Sequence, residues 1–193
     1  MVKNEEKSRL KNDPLFLLLY RHAFRRSDTP IYKLTSGTMS PFYINCKDVA
    51  LSAEGAFLIG EAIWDRINAL PVEGVGGMTL GADPIATAVA VISFIKKKPV
   101  PAFIVRKEQK QHGSMRRVEG PLPKGAKLVV VEDVVTTGGS TLDTIHALQQ
   151  EGHTVIRAIA LVDRLEGGAE KIAAEGIPFE SLYTLNDFLR FSP

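Results

Sequence analysis

The sequence predicts an α/β protein: a mostly parallel sheet with helices on both faces, and a small hood built from the N-terminal residues. Three observations carry this. From Leu51 onward, strand-like aliphatic runs alternate with segments of helical period, the pattern of successive strand–helix units. The run Leu128-Val129-Val130-Val131 is aliphatic without a break, as in a strand buried on both faces. The length, 193 residues, suits one structural domain. Residues 1–50, with part of 165–193, are assigned to the hood and residues 51–193 to the core.

Charge is nearly balanced, 24 Lys and Arg against 22 Asp and Glu, so no global basic field argues for nucleic acid or a membrane surface. Any cationic function must be local. Cys46 is the single cysteine, which rules out an intrachain disulfide and reads as buried filler. Met1 to Lys11 is charged and polar, unlike a signal peptide. No apolar stretch reaches the roughly 20 residues of a membrane span. The expectation is a soluble, cytoplasmic protein with no nucleic-acid or membrane partner.

The elements follow in order. Asp13-Pro14 opens a helix with Pro14 in its first turn and Leu15, Leu18, Leu19 and His22 on one face; it gives way near Ser27 to Pro30. Tyr32 to Gly37 and Ser40 to Asn45 read as two short strands turning at Gly37. The aromatic pair Phe42-Tyr43 fits ordinary strand packing as well as a ligand contact. Ser52 caps the next helix, whose buried face is Phe57, Leu58, Ile59, Ile63, Trp64, Ile67 and Leu70, and Pro71 stops it. Gly74 to Met78 is a short glycine-rich strand, and its turn leads into a helix running to about Ile95. Lys96-Lys97-Lys98 suits that helix's C-terminal dipole.

Pro101 to Val105 is another buried strand. It delivers Arg106 to Gly120, a segment rich in cations through which no core face can be drawn, of a length typical of functional or disordered loops. It is expected to be mobile when no anion is bound. Val155 to Val162 is a further strand ending in Asp163-Arg164. A short helix near Ala169 to Glu175, a strand from Phe179 to Thr184 and a final helical turn or two complete the chain.

The most informative stretch follows Val131. The acidic pair Glu132-Asp133 stands at the strand's C-terminal end, then Thr136-Thr137-Gly138-Gly139-Ser140, then Leu142, Ile145 and Leu148 at helical spacing, with Gly152 as the stop. In open α/β sheets, ligands bind outside the carboxyl ends of the strands. A hydroxyl- and glycine-rich loop at a helix N-terminus offers unpaired N–H groups and a positive dipole end to a phosphate. Carboxylates would repel that phosphate, so they make sense facing the hydroxyls of the same ligand. The arrangement fits a sugar phosphate, with a ribose diol on Glu132 and Asp133 and a 5-phosphate on Thr136 to Ser140. Helix capping would explain these residues singly, but not their occurrence together after one buried strand.

This run resembles the phosphoribosyl pyrophosphate (PRPP) signature of type I phosphoribosyltransferases, and it lacks the Gly-Lys-Ser/Thr of a P-loop. Four other segments resemble the orotate phosphoribosyltransferases in particular: Ser36-Gly37 with Ser40-Pro41-Phe42-Tyr43, Gly81 to Ala86, Arg106 to Gly113, and Asp163-Arg164-Leu165-Glu166. Together the five touch nearly the whole chain. The resemblance implies the type I phosphoribosyltransferase fold and transfer of a phosphoribosyl group from PRPP to orotate, giving orotidine 5′-phosphate and pyrophosphate in pyrimidine biosynthesis. It assigns PRPP to Arg106, Lys107, Lys110, His112, Glu132, Asp133, Val134, Val135, Thr136, Thr137, Gly138, Gly139 and Ser140. Orotate falls to Thr136, Arg164, Phe42 and Tyr43. Lys110, His112 and Asp133 become the catalytic residues. It further implies Mg²⁺ carried on substrate oxygens without a protein metal cage, and a homodimer with shared active sites.

The chain departs from the family pattern twice. Some members carry lysine where Thr35 stands, and the nearest lysine here, Lys33, lies on the opposite side of the strand from Leu34. Others carry lysine where Gly81 stands, so cations for the pyrophosphate must come from elsewhere. Two further readings compete: a PRPP-sensing regulator without catalysis, and a purine phosphoribosyltransferase. The basic loop and the lack of a helix-turn-helix speak against the first; Arg164 and the Ser-Pro-Phe-Tyr segment speak against the second.

Overall fold

A computed structural model of the protein describes residues 9–33, 37–108 and 117–191. Among the described residues, 9–11 are helical; helix α1 (Pro14–His22) follows, then four short strands, β1 (Phe24–Arg26), β2 (Tyr32–Lys33), β3 (Met39–Ser40) and β4 (Phe42–Ile44). A short helix α2 (Lys47–Ala50) leads into α3 (Ala53–Ile67). Then come β5 (Gly74–Met78), α4 (Ala82–Ile95), β6 (Ala102–Val105), β7 (Val118–Glu119) and β8 (Lys127–Val135). The chain continues through α5 (Gly139–Gln150), β9 (Thr154–Asp163), α6 (Gly168–Ala174), β10 (Phe179–Thr184) and α7 (Leu185–Arg190).

Six strands form the main sheet in the order β10-β9-β8-β5-β6-β7. All pairings are parallel except β6–β7. The aliphatic strands feed both faces because side chains alternate along a strand. Val129 and Val131 join one core with Ile63 of α3 and Ile85 of α4, and Leu128 and Val130 join the other with Ile145 of α5 and Ile172 of α6. Helices therefore cover both faces, as the sequence pattern predicts. No helix among the described residues is long and apolar enough to cross a membrane.

Asp13 caps α1 by accepting from the Phe16 amide at 3.1 Å. The buried face of α1 is Leu15, Phe16 and Leu19; His22 is exposed and Leu18 only half-buried. Phe16 has its ring centroid 5.1 Å from those of Phe188 and Phe191, and Tyr183 donates to Asp13 Oδ2 at 2.8 Å. These contacts tie the N-terminal helix to the last strand and helix. The helix ends at His22 because Phe24 to Arg26 pairs with Phe42 to Ile44 as an antiparallel ribbon, earlier than the turn residues Ser27 to Pro30 suggest. Ser52 caps α3 as predicted, accepting from the Gly55 amide at 3.0 Å. Phe57, expected in the core, is 55% exposed; the buried stripe of α3 is Gly55, Ile59, Gly60, Ile63, Trp64 and Ile67.

The end of the cation-rich segment corrects the sequence reading. Val118 and Glu119 form an edge strand against Val105 and Ile104, and Val118 is buried. Arg117 holds the base of the segment. Its guanidinium forks onto Asp143 of α5 at 3.0 and 2.6 Å, and its carbonyl accepts from the Arg106 amide at 2.9 Å.

Candidate active site

Sequence spacing puts the acidic pair after the buried strand. The structure continues β8 through Val135, so Glu132 and Asp133 lie inside the strand and point to opposite faces. Glu132 turns inward and is 6% exposed. Its Oε2 accepts from Ser140 Oγ at 2.9 Å and lies 3.5 Å from Thr141 Oγ1. Burial, helped by the charge of Asp133, pushes its carboxyl up to about 8. Asp133 faces the other way. Its Oδ1 accepts from the Val134 amide at 2.9 Å and its Oδ2 from Lys47 Nζ at 3.2 Å.

Beyond the strand the chain turns at Gly138 (φ +79°), where a Cβ would also approach the Gly168 backbone to 3.1 Å. Only glycine meets both demands. The turn starts α5 with Ser140 in its first turn, where the free amides and the positive dipole end lie. Thr136, Thr137, Gly139 and Ser140 line a cleft of about 680 Å³, which Glu132, Asp133 and Val134 also border. Thr79 to Gly81 form the facing wall, and the Thr79–Leu80 peptide is cis.

The cleft gathers most of the residues singled out in the sequence, and separates others. Tyr43 lines it, together with Lys33 and Lys107. Phe42 does not. Strand alternation turns its ring onto Phe24, with centroids 6.3 Å apart, beneath Arg26. Val135 is buried in a core, so only its backbone is available to a ligand. The Arg106 guanidinium pairs with Glu119 at 3.3 Å at the base of the basic segment. Lys110 and His112 lie outside the described residues.

Arg164 follows β9, and its amide donates to the Val135 carbonyl at 2.9 Å, so its backbone adjoins the end of β8. The side chain is 7% exposed. Its Nη2 reaches Ser40 Oγ at 3.4 Å. Its Nε stands 3.0 Å from Glu166 Oε1, off the line of the N–H, and makes an ion pair without a hydrogen bond.

Lys47 is the cleft residue that sequence reasoning misses. It lies 86 positions from Asp133 in the chain, and no local motif marks it. Burial alone would lower its pKa, but the charge and hydrogen bond of Asp133 outweigh this and leave it raised. Among the described residues, no group of three or more His, Cys, Asp or Glu side chains converges as a metal cage.

The burial of Glu132 has a measurable signature. Its folded pKa is raised, so between the ordinary value of 4.5 and about 8 the folded chain keeps a proton that the unfolded chain has lost. Stability from this group is greatest below that window and declines as pH rises through it. Glu132→Gln removes the decline. Its Tm should exceed the parent's by a margin that grows from pH 5 to pH 8.5, reaching at least about 2–4 °C if the difference is only 1 kcal/mol. Thermal unfolding of both proteins across that range checks this; a margin independent of pH contradicts it.

Comparison with known proteins gives the arrangement a family. Residues 76–179 match the model of the phosphoribosyl transferase domain. The orotate phosphoribosyltransferase of Aquifex aeolicus is 42% identical over 180 residues, covering 93% of this chain and 98% of the relative. That of Thermosynechococcus vestitus is 47% identical over 174 residues, 90% of each chain. A crystal structure of Mycobacterium tuberculosis orotate phosphoribosyltransferase in complex with 5-phospho-α-D-ribosyl 1-diphosphate superimposes with a TM-score of 0.74 at 33% identity, covering 95% of this chain and 98% of that one. With fold, cleft and relatives in agreement over nearly its whole length, this chain belongs to the phosphoribosyl transferase family, among its orotate phosphoribosyltransferases.

Proposed function

We propose that this chain transfers the 5-phosphoribosyl group of PRPP to orotate, releasing pyrophosphate, as a cytoplasmic step of pyrimidine synthesis. One observation carries the reading: a cleft carboxylate, Asp133, and the hydroxyl-lined N-terminus of α5 share one wall at the C-terminal edge of the sheet. Polar ends of one sugar phosphate suit those two groups. The PRPP bound to the Mycobacterium relative supports the same ligand here.

The proposed roles follow the geometry. Amides and hydroxyls of Thr136 to Ser140 hold the 5-phosphate. Asp133 accepts from the ribose diol, and Glu132 keeps the loop in register through Ser140. The bond from C1 to pyrophosphate breaks as an orotate ring nitrogen bonds C1, the nitrogen's proton passing to the departing pyrophosphate, and the ribose becomes oxocarbenium-like in between. Asp133 stabilises that positive charge. Lys107, with Arg106, Lys110 and His112 of the basic segment, meets the leaving pyrophosphate. Asp133 is the cleft oxygen donor of the type a hard cation accepts; Mg²⁺, when bound there with the substrate, would supply neutralisation of the pyrophosphate charge. Tyr43 and Thr136 border the base. Arg164 pairs with the orotate carboxylate, exchanging its present Ser40 and Glu166 contacts. The described residues before Leu51, with α7, form the hood over the base.

Presenting the protein with PRPP, Mg²⁺ and a panel of bases tests the reaction: orotate alone should be converted efficiently. A lost hydrogen bond to a charged group costs on the order of 1.5–3 kcal/mol, so Arg164→Ala should lower kcat/KM for orotate roughly 10- to 100-fold, with little change in the KM for PRPP. Preference for a purine base, or unchanged orotate kinetics in that variant, contradicts the assignment.

The same reading includes a homodimer with shared active sites. Its support is an apolar groove of about 690 Å³ between α3 and α4, where Phe57 and Val91 are both 55% exposed. Phe94, on the outer face of α4, is 74% exposed. Lys47 and Leu80 line both this groove and the cleft, so a second copy seated there borders the active site. Val91→Asp with Phe94→Asp should yield a monomer by sedimentation, with much reduced turnover and a Tm near that of the parent. A monomeric parent, or a fully active monomeric variant, contradicts this arrangement.

A further inference from the structure

We infer that Lys47 is a donor-binding residue, its ammonium bridging Asp133 and the pyrophosphate of the phosphoribosyl donor. The inference rests on the phosphoribosyl-transfer reading and names a contact that reading leaves open. The difficulty it addresses is electrostatic. Asp133 must face the ribose while the same ligand brings a pyrophosphate of several negative charges close by. A carboxylate there needs a cation on its pyrophosphate side.

The wall opposite the strand cannot supply one from position 81. A Cβ on Gly81 would fall 2.6 Å from Asp133 Oδ1 and 2.8 Å from its Cγ. Any side chain at that position would displace the carboxylate. The space is instead met from across the cleft by Lys47, whose Nζ lies 3.2 Å from Asp133 Oδ2. Lys33 and Lys107 also border the cleft, but Lys47 is the lysine whose ammonium is fixed on Asp133.

Its backbone is firmly seated. Cys46, Val49 and Ala50, on either side of it, are buried, and Asn45 Nδ2 donates to Asp48 Oδ1 at 2.9 Å. The tip is not: the side chain is 45% exposed. An ammonium has three N–H donors. One is directed at Asp133, which leaves others for anionic oxygens in the cleft. The pairing with Asp133 also keeps the amine protonated. Lys47 can thus bind a donor oxygen without leaving its carboxylate, screening one from the other.

Lys47→Gln and Lys47→Arg test this, with PRPP and inorganic pyrophosphate as separate Mg²⁺-containing titrants. The Gln variant should bind both at least tenfold more weakly, the loss expected of one charged contact, and show a shallower dependence of binding on salt. The KM for orotate should change less than threefold. Arg should recover most of the affinity for both titrants. The Lys47 side chain is 45% exposed and glutamine can still donate to Asp133, so the Tm should stay within a few degrees. Pyrophosphate lacks the ribose, so it separates a direct contact from a lysine that only orients Asp133. Unchanged pyrophosphate affinity in the Gln variant overturns the inference, even if PRPP binding weakens. A parent protein that binds pyrophosphate yet never converts orotate overturns the functional reading instead, and the pyrophosphate titration still decides on Lys47.

Discussion

Side chains on β8 alternate between the two faces of the sheet, and at its last residues this alternation separates two consecutive carboxylates. Glu132 goes under the loop and Asp133 goes into the cleft. Each then recruits a different partner. Glu132 takes the hydroxyl of Ser140, which lies in the first turn of α5. Asp133 takes the ammonium of Lys47, at the start of α2. The buried carboxyl therefore orders the loop that opens α5, while its neighbour Asp133 and a distant lysine line the cleft beside that loop. Were the strand to end at Val131, both carboxylates would sit in a loop and neither relation would be imposed by the backbone.

A buried carboxyl is costly, and its pKa moves to about 8 because burial disfavours the charged form. Such shifts gather where the chain serves a ligand before its own stability. What offsets the cost is the packing below. Leu128 and Val130 fill one core, Val129 and Val131 the other, so the strand that carries the buried carboxyl is held on both faces. The N-terminal segment is anchored separately, by Phe16 against Phe188 and Phe191 and by Tyr183 on Asp13. That anchorage fixes β4 and α2, and so decides where Tyr43 and Lys47 meet the cleft.

Much of the sheet was legible in the sequence because aliphatic runs and helical spacing are local signals. β9, β10, α5 and the caps at Asp13 and Ser52 fall where those signals place them, within a residue or two. The errors arise where packing decides. Phe16 looks like any other apolar residue of α1 until Phe188 and Phe191 are brought to it from the other end of the chain. Phe57 is apolar yet exposed, since α3 has an apolar flank outside its core stripe. Val118 ends a segment too polar to suggest a strand, and only the open edge of β6 makes it one. That Asp133 would share a cleft with Thr136, Thr137, Gly139 and Ser140 could be read from their succession. The opposite orientations of Phe42 and Tyr43 follow from alternation, but which of them faces the cleft required the ribbon with β1. Lys47 carried no signal, because its meaning depends on a carboxylate 86 positions away.

The central claim is that Asp133 serves the ribose and is not a structural carboxylate. Asp133→Asn tests it most directly. Asparagine keeps the shape, and its oxygen can still accept from the Val134 amide as Oδ1 does now. The ion pair it gives up leaves an ammonium whose side chain is 45% exposed, so water can take over Lys47 and the loss to folding is small. Turnover and thermal unfolding should be measured together on the same preparation. The account predicts turnover lowered by roughly two orders of magnitude or more, the scale of one lost electrostatic contact to a developing charge, with a Tm within a few degrees of the parent. Normal turnover accompanied by a large fall in Tm would contradict it.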